Sequence, residues 1–259
     1  MLLLVTAIAA GICCLVVPAI QAARKGAREM ACKNNLKQVG LGLLNFESAY
    51  RRFPLAIEIS PEDTLWRSWR SQIYPTFMEQ RAPFYDEATA WNSKTNARLI
   101  NGTPITVAAG KGGGSITITL ERVPWCFECP ECKKGDGVNY LVITGEGTAF
   151  PKSSATKLSD FRDGLENTIL VVESVTCTPE WTEPRDLDID TMQFVINSPK
   201  GPSISSMHPK GPLVCFADME VYCVNPEITE AELRALISIN GGEDVKREDL
   251  VSRGVLVKR

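Results

Sequence analysis

The chain has 259 residues, which is enough to bury one sizeable core. Its 28 basic and 31 acidic residues nearly cancel, and this argues against a nucleic-acid partner, because such partners need a clustered basic face. The single histidine, His208, restricts the general acid–base and metal chemistry that is open to the chain.

The first 23 residues form an apolar run without a charged side chain. At roughly 1.5 Å per residue, a helix of this length crosses the ~30 Å hydrocarbon core of a bilayer. The run lacks the basic start of a secretory signal, and a membrane helix tolerates Pro18. We predict a transmembrane helix over residues 1–23. A signal peptide and a buried core helix are the alternatives.

Residues 24–53 are predicted to continue this helix as an amphipathic segment. Six apolar side chains recur at alternating spacings of four and three residues, and so share one helical face: Cys32, Leu36, Val39, Leu43, Phe46 and Tyr50. Phe53-Pro54 disfavours further helix. The pattern predicts one continuous helix, with its first half in lipid and its second half packed on a globular domain.

Residues 18–54 resemble the N-terminal region of the pilin-like envelope proteins of planctomycetes. The resemblance rests on the Pro-Ala-(aliphatic)-Gln-Ala-Ala-Arg run, on Cys-(x)-Asn-Asn-Leu-Lys-Gln and on the closing Phe-Pro. Those proteins join a prepilin-type N-terminal helix to a domain of unknown function. The resemblance implies an α+β fold of the type IV pilin or pseudopilin kind. Its long helix would pack on an antiparallel β-sheet, with a short helix near the C-terminus.

The next segment is rich in aromatic residues and ends in a glycine-rich stretch. Four side chains have helical spacing and are predicted to pack against the long helix, with an aromatic ligand groove as the alternative: Trp66, Trp69, Ile73 and Phe77. Two β-rich runs flank residues 110–114 and predict a hairpin. A phosphate-binding loop is disfavoured because Lys111 is misplaced for one.

A Cys-x-x-Cys-x-x-Cys run comprises Cys126, Cys129 and Cys132. Three thiols this close could hold a metal ion with one outside ligand, for example Cys177. They could equally form one disulfide and leave a free thiol. We favour a disulfide or free thiols, because a four-ligand zinc site typically uses a second close pair. A thiol or metal enzyme is disfavoured, because the sequence indicates no positioned base.

Residues 163–173 predict a turn at Asp163-Gly164 and then a buried strand over Ile169–Glu173, and this run also resembles the family. Further on, Asp186, Asp188 and Asp190 alternate and would share one face of an extended chain. Calcium is one interpretation, but the loop lacks the Gly and terminal Glu of an EF-hand. We favour a solvent-exposed acidic loop.

His208 and Asp218 match the spacing of the family's C-terminal signature, which is His, nine residues and then Asp-Gly within a β-hairpin. Met219 replaces the Gly, and a left-handed conformation costs Met about 1–2 kcal/mol. We therefore predict a wider turn centred on Met219. That register would place Cys215 opposite Cys223 and allow a disulfide between them. For His208 and Asp218 we predict structural hydrogen bonding.

Near the C-terminus, Thr229 and Glu232 predict a capping box for a helix that runs to about Ile239. We assign residues 54–245 to the globular head. Residues 246–259 form a C-terminal extension, predicted to add a strand or a helix.

The resemblance implies a single-pass inner-membrane protein whose globular domain faces the periplasm or the cell exterior. Its role would be structural, adhesive or secretion-related, without catalysis, and its partners would be membrane lipid, other pilin-like subunits or secretion machinery. The alternative is a membrane-tethered, extracytoplasmic solute- or glycan-binding module that uses the aromatic residues of 65–91. The basic residues of 24–37 would place the domain in the cytoplasm by the positive-inside rule, but we follow the resemblance. No cofactor is expected, with structural zinc or calcium as the alternatives.

Overall fold

A computed structural model describes residues 2–60, 65–77, 85–102, 104–108, 115–118, 123–132 and 137–258. Its first element is α1 (Leu2–Tyr50), a single helix of 49 residues. The predicted continuous helix is therefore confirmed, and it ends where Arg51 adopts a left-handed conformation with φ 57°. Within the described part of the chain, no helix combines the length and the apolar character needed to cross a membrane.

The C-terminal half of α1 buries the predicted apolar face. Five of the six predicted side chains are at most 7% exposed: Cys32, Leu36, Val39, Leu43 and Phe46. The prediction is wrong for Tyr50, which is 63% exposed. Its ring lies in the last turn of the helix and packs on Phe46, with the ring centroids 4.4 Å apart. Tyr50 therefore lies at the edge of the core and not inside it.

The head is built on a five-stranded antiparallel sheet against which α1 packs. The strand order is β11-β10-β9-β7-β5. The strands are β5 (Tyr140–Leu141), β7 (Ile169–Glu173), β9 (Leu213–Phe216), β10 (Val221–Val224) and β11 (Leu256–Lys258). All five residues of β7 are buried, and its bounds are those predicted. The α+β class with a long N-terminal helix and an antiparallel sheet is confirmed.

Smaller elements complete the head. The strands outside the main sheet are β1 (Ile57–Ile59), β2 (Leu65–Ser68), β3 (Ile105–Ala108), β4 (Ser115–Ile118), β6 (Ile143–Thr144) and β8 (Leu187–Asp188). The helices are α2 (Trp69–Phe77), α3 (Ala97–Ile100), α4 (Glu230–Ile237) and α5 (Arg247–Ser252), with 3-10 turns at Trp125–Phe127 and Leu158–Asp160. The antiparallel β3–β4 pair confirms the predicted hairpin, whose glycine tip lies outside the described residues.

The aromatic segment packs partly as predicted. Trp69 and Ile73 lie on α2, which contacts α1, and both side chains are fully buried. The helical prediction is wrong for Trp66, because residues 65–68 pair with β1 and form a strand instead. The side-chain packing predicted for Trp66 and Phe77 falls outside what the structure describes.

The turn of the β9–β10 hairpin is centred one residue earlier than predicted. Its register pairs Cys215 with Val221 and Cys223 with Leu213, so the turn contains three residues and is centred on Asp218. The turn is wider than a two-residue turn, as predicted, but the prediction of its centre at Met219 and of Cys215 opposite Cys223 is wrong. No disulfide joins the two thiols.

Met219 is the last residue of the three-residue turn. It adopts φ 68°, and its N–H donates to the carbonyl of Phe216 over 2.9 Å. A three-residue loop that ends in a left-handed residue matches the twist of the two strands. The Met219 side chain packs against α1 at Gly40, where an added Cβ would lie 2.8 Å from Met219 Sδ. This side-chain packing opposes the cost of the left-handed backbone conformation of Met219, and the local sequence does not indicate it.

The C-terminal elements close the sheet. The predicted capping box of α4 is present, since Thr229 Oγ1 accepts from the N–H of Glu232 and the Glu232 carboxylate accepts from the N–H of Thr229. The helix ends at Ile237, two residues earlier than predicted, because Ser238 is extended. Beyond residue 245, α5 leads into β11, which pairs with β10 at the sheet edge.

Candidate metal centre

The centre begins on α1, where Cys32 and Asn35 lie about one turn apart on the buried face. The Asn35 side-chain amide donates to two carbonyls of the loop before Cys129, over 2.9 Å to Trp125 and 3.0 Å to Glu128. The Cys-(x)-Asn-Asn motif therefore holds this loop against the helix and brings Cys129 next to Cys32.

The cysteine loop contributes two thiols. Cys129 Sγ lies 3.0 Å from Cys32 Sγ, and both side chains are buried. The backbone N–H of Cys129 donates to Asn139 Oδ1 over 2.9 Å, which fixes this end of the loop to the sheet. The N–H of Cys132 donates to the Cys129 carbonyl, and the resulting turn places the Cys132 thiol close enough to that of Cys129 to shift its pKa.

His208 and Glu173 approach from the sheet side. His208 Nε2 lies 3.4 Å from Cys129 Sγ and 3.2 Å from Glu173 Oε1. Glu173 ends β7 and is fully buried, and its Oε2 accepts from the N–H of Leu213 over 3.1 Å. Its Oε1 is buried without an aligned hydrogen-bond partner. A turn closed by the Gly211 N–H and the His208 carbonyl holds the histidine in place.

The donor atoms of Cys32, Cys129 and His208 lie within 4.8 Å of one another. Among the described residues, this is the one group of three or more metal-ligating side chains that converge in this way. Cys132 and Glu173 lie outside this trio but are close enough to Cys129 to influence the pKa of its thiol. Imidazole nitrogen and thiolate sulfur are the donors that suit zinc.

Of the three cysteines of the Cys-x-x-Cys-x-x-Cys run, only Cys129 belongs to the converging trio, and Cys132 lies beside it. Cys126 does not join the group, because the 3-10 turn Trp125–Phe127 buries it in the apolar core, where burial raises the pKa of its thiol to about 12. Cys177, the example of an outside ligand, is also buried elsewhere, where burial raises the pKa of its thiol. The outside ligands come instead from α1 and from the loop before β9.

The clustered groups change one another's protonation. Hydrogen bonds from Cys132 and Cys32 hold the pKa of Cys129 far below its ordinary value. The same contacts, together with burial, raise the pKa values of Cys32 and Cys132. Burial acts to lower the pKa of His208, but hydrogen bonds to Cys129 and Glu173 prevail and raise it to about 10. Burial raises the pKa of Glu173 to about 8, although His208 opposes the shift.

The structure places an imidazole next to a thiol. His208 Nε2 lies 3.4 Å from Cys129 Sγ, a contact that the sequence does not indicate. A nucleophile must also reach its substrate, however, and Cys129 is only 2% exposed and is crowded by two thiols and an imidazole. The geometry favours ligation over nucleophilic attack.

The three aspartates do not converge. Asp186 is buried and accepts from Arg70 Nη1 over 2.7 Å, so the prediction of a solvent-exposed acidic loop is wrong for it. Burial raises the pKa of Asp186, and the Arg70 charge opposes this shift. Asp188 and Asp190 lie nearer the surface, where Lys152 Nζ approaches them to 2.6 and 3.5 Å. Asp186 thus stabilises the core of the head, whereas Asp188 and Asp190 pair with Lys152.

The hairpin residues make contacts of their own. Asp218 caps the turn by accepting from the N–H of Glu220 over 3.1 Å and pairs with Arg247 Nη2 over 2.6 Å. The Cys215 thiol donates to the Phe216 carbonyl, and the Cys223 thiol donates to the Lys210 carbonyl over 2.7 Å.

Sequence reasoning missed three residues of the centre, and each carried a signal. Cys32 was taken as part of an apolar face, although it opens a polar Cys-(x)-Asn-Asn motif that also contains Asn35. Glu173 is the one charged residue in an otherwise apolar buried strand, and a carboxylate there needs a partner.

A family model described as SBP_bac_10, a protein of unknown function (DUF1559), matches residues 21–145, just under half of the chain. The matched span contains Cys32, Cys129 and Cys132 but ends before Glu173 and His208. No curated protein matches the chain, and no solved structure matches it. The chain is thus similar to a family whose function is itself unknown.

Proposed function

We propose that the chain is a pilin-like or pseudopilin-like subunit of the cell envelope, in which a helical rod carries a globular head. The rod is residues 2–30 of α1, and the head is the remainder of the described chain. The work of such a subunit is structural, adhesive or secretion-related. It is done through the rod in or at the membrane and through the head outside it.

The observation that carries the proposal is that α1 extends beyond the head. Residues 16–28 are all exposed, whereas burial of the helix begins at Cys32. At roughly 1.5 Å per residue the rod is about 40 Å long. A head-sized domain does not need an extension of this length for its own core, so the rod serves contact with something else.

The exposed part of the rod carries apolar side chains. Val16, Val17 and Ile20 are 45–48% exposed. Apolar surface left in water forgoes about 25 cal/mol per Å² of stabilisation, which favours covering the rod with lipid or with the rods of like subunits. Arg24, Lys25 and Arg28 follow this apolar part, where they can meet anionic head groups.

The aromatic residues do not favour the alternative of a solute- or glycan-binding module. It requires the aromatic residues of 65–91 to line a pocket, but Trp69 is fully buried and its Nε1 donates to Asp186 over 3.1 Å. Tyr74 and Tyr85 are buried against Trp181, with ring centroids 4.7 and 5.8 Å apart. These aromatic side chains fill the core of the head.

Membrane fractionation of two charge-matched double variants tests the role of the rod. Val16→Lys with Val17→Lys is expected to move the protein from the membrane pellet to the soluble fraction, because each lysine opposes burial in lipid by about 2.5–3.5 kcal/mol. Gln38→Lys with Ser48→Lys adds the same charge to exposed positions of α1 beside the head and is expected to stay in the pellet. Equal partition of the two variants would contradict the proposed role.

Protease treatment of intact spheroplasts tests the placement of the head. Digestion of everything beyond about residue 50 is expected, because the proposal places the head outside the inner membrane. Protection until the membrane is lysed would overturn the envelope assignment.

A further inference from the structure

We propose that Cys32, Cys129, Cys132 and His208 form a tetrahedral zinc site that fastens the long helix to the head. Three thiolates and one imidazole are a ligand set typical of structural zinc, and Cys129-x-x-Cys132 has the spacing of a zinc chelate loop. The proposal concerns the head alone and goes beyond the envelope role proposed for the whole chain.

The distances within the trio of Cys32, Cys129 and His208 are close to those of a ligand shell. The Cys132 thiol lies beside Cys129 but outside this trio, and it would complete the shell. Sulfur and nitrogen ligands on one tetrahedral zinc ion lie about 3.5–3.8 Å apart, given bonds of roughly 2.3 and 2.0 Å. Cys129 Sγ and His208 Nε2 are 3.4 Å apart, and Cys32 Sγ is 3.0 Å from Cys129 Sγ. An ion enters this cluster if the two sulfurs separate by less than about 1 Å.

A disulfide accounts for less of the site. A bond between two sulfurs needs a separation of about 2.05 Å and uses two of the three thiols. A Cys32–Cys129 bond would leave the half-buried Cys132 thiol and the buried His208 and Glu173 without a shared ligand. Zinc uses all three thiols and the imidazole. It also places a cation beside the buried Glu173 carboxylate, whose Oε1 lies 3.2 Å from His208 Nε2.

The site joins parts of the chain that are far apart in sequence. Cys32 and Cys129 are 97 residues apart, and Cys129 and His208 are 79 residues apart. Zinc would therefore hold α1, the cysteine loop and the loop before β9 at one point. With three of its four ligands almost fully buried, the site is closed, as in structural rather than catalytic zinc proteins.

Metal analysis of the full chain, purified without chelators, is the first test. We expect about one zinc ion per chain, removable by a strong chelator together with a fall in the thermal unfolding temperature. Titration of denatured protein without reductant is expected to find all nine thiols. A metal-free protein in which peptide mapping finds Cys32, Cys129 or Cys132 in a disulfide would overturn the proposal.

Cobalt substitution identifies the ligands. The Co²⁺ protein should show thiolate-to-metal charge transfer and the d–d bands of tetrahedral geometry. Cys32→Ser, Cys132→Ser and His208→Ala should each weaken metal affinity more than about 100-fold. The matched control Cys126→Ala, three residues before Cys129, should keep the metal. If a ligand variant does not fold, the wild-type metal content and cobalt spectrum still decide the question.

Glu173→Gln tests whether the Glu173 carboxylate is a neighbour of the metal ion or one of its ligands. We expect this variant to bind zinc roughly 10- to 100-fold more weakly while keeping the cobalt charge-transfer band. Loss of metal in Glu173→Gln with retention in Cys132→Ser would overturn the assignment of Cys132 as the fourth ligand. All these measurements use purified protein, whereas the tests of the envelope role use membranes and spheroplasts. A result against the zinc site therefore leaves the envelope proposal unaffected.

Discussion

At the scale of single residues, the buried Arg70–Asp186 pair shows how the head accommodates charge. Both side chains are fully buried and their charged atoms are 2.7 Å apart. The other guanidinium donors are satisfied by carbonyl oxygens of one loop, those of Trp181, Glu183 and Arg185. Because burial without such partners is costly, the network ties α2 to the loop that precedes β8.

Replacing Arg70 should therefore cost far more than replacing a lysine at the surface. Arg70→Met leaves Asp186 charged and buried, and we expect the free energy of unfolding to fall by about 3–5 kcal/mol. Lys152→Met removes the partly exposed partner of Asp188 and should cost no more than about 1 kcal/mol. Urea denaturation measures both. Equal costs would show that the buried pair is not needed for stability.

At the scale of elements, the contact between α1 and the cysteine loop depends on one amide. Asn35 donates to two loop carbonyls, whereas its neighbour Asn34 is exposed. Asn35→Ala should destabilise the head by about 1–3 kcal/mol, because it leaves part-buried acceptors unpaired. Hydrogen exchange of residues 125–132 should rise in this variant and stay unchanged in Asn34→Ala. Unchanged exchange in both variants would mean that the amide does not hold the loop.

The cap of α4 predicts a pH dependence. The backbone N–H of Thr229 and, to a lesser degree, Arg253 lower the pKa of Glu232 below its ordinary value of 4.5. A carboxyl whose pKa is lower in the folded state adds stability above the unfolded pKa, and this stability is lost as the pH falls through the folded pKa.

Glu232→Gln should therefore be less stable than the wild type near pH 7 by about 0.5–1 kcal/mol, as expected for a weakened cap. The difference should shrink as the pH falls below about 4.5. Glu230→Gln removes the same charge from the first turn without touching the cap and should show a smaller difference at pH 7. Thermal unfolding across pH measures both, and a gap that persists in acid would contradict the assignment.

At the scale of the whole molecule, the C-terminal residues belong to the fold of the head. Leu250, Val255 and Leu256 are at most 2% exposed, and β11 covers the edge of β10. Arg247 pairs with Asp218. The final elements thus shield a sheet edge that would otherwise be open to pairing with another chain.

Removal of residues 246–259 should lower the free energy of unfolding by at least about 3 kcal/mol, because three buried apolar side chains are lost. The exposed β10 edge should also promote association, measurable by light scattering. Val257→Ser, at a position 43% exposed on β11, keeps the strand and should remain monodisperse and nearly as stable as the wild type. A truncated protein that matches this control would contradict the role assigned to the tail.

The sequence by itself determined what is local. The periodicity of residues 32–46 predicted the buried face of α1, apolar composition predicted β7, and the spacing of Thr229 and Glu232 predicted a cap. Each depends on neighbours within a few residues, so spacing is sufficient evidence. The prediction of the hairpin turn was wrong because this turn does not depend on its neighbours alone. The side chain of Met219 packs against Gly40, which is distant in sequence.

Only the tertiary structure decided the composition of the candidate metal centre. The cysteine triplet was visible in the sequence, but the residues that complete the ligand set lie 97 residues before Cys129 and 79 after it, in segments predicted to be a helix and a β-hairpin. Spacing within one segment cannot reveal such a group. Its members meet only because α1 packs across the sheet and because β7 and β9 are neighbours. Long-range packing sets which side chains converge, and it is that convergence which defines a site.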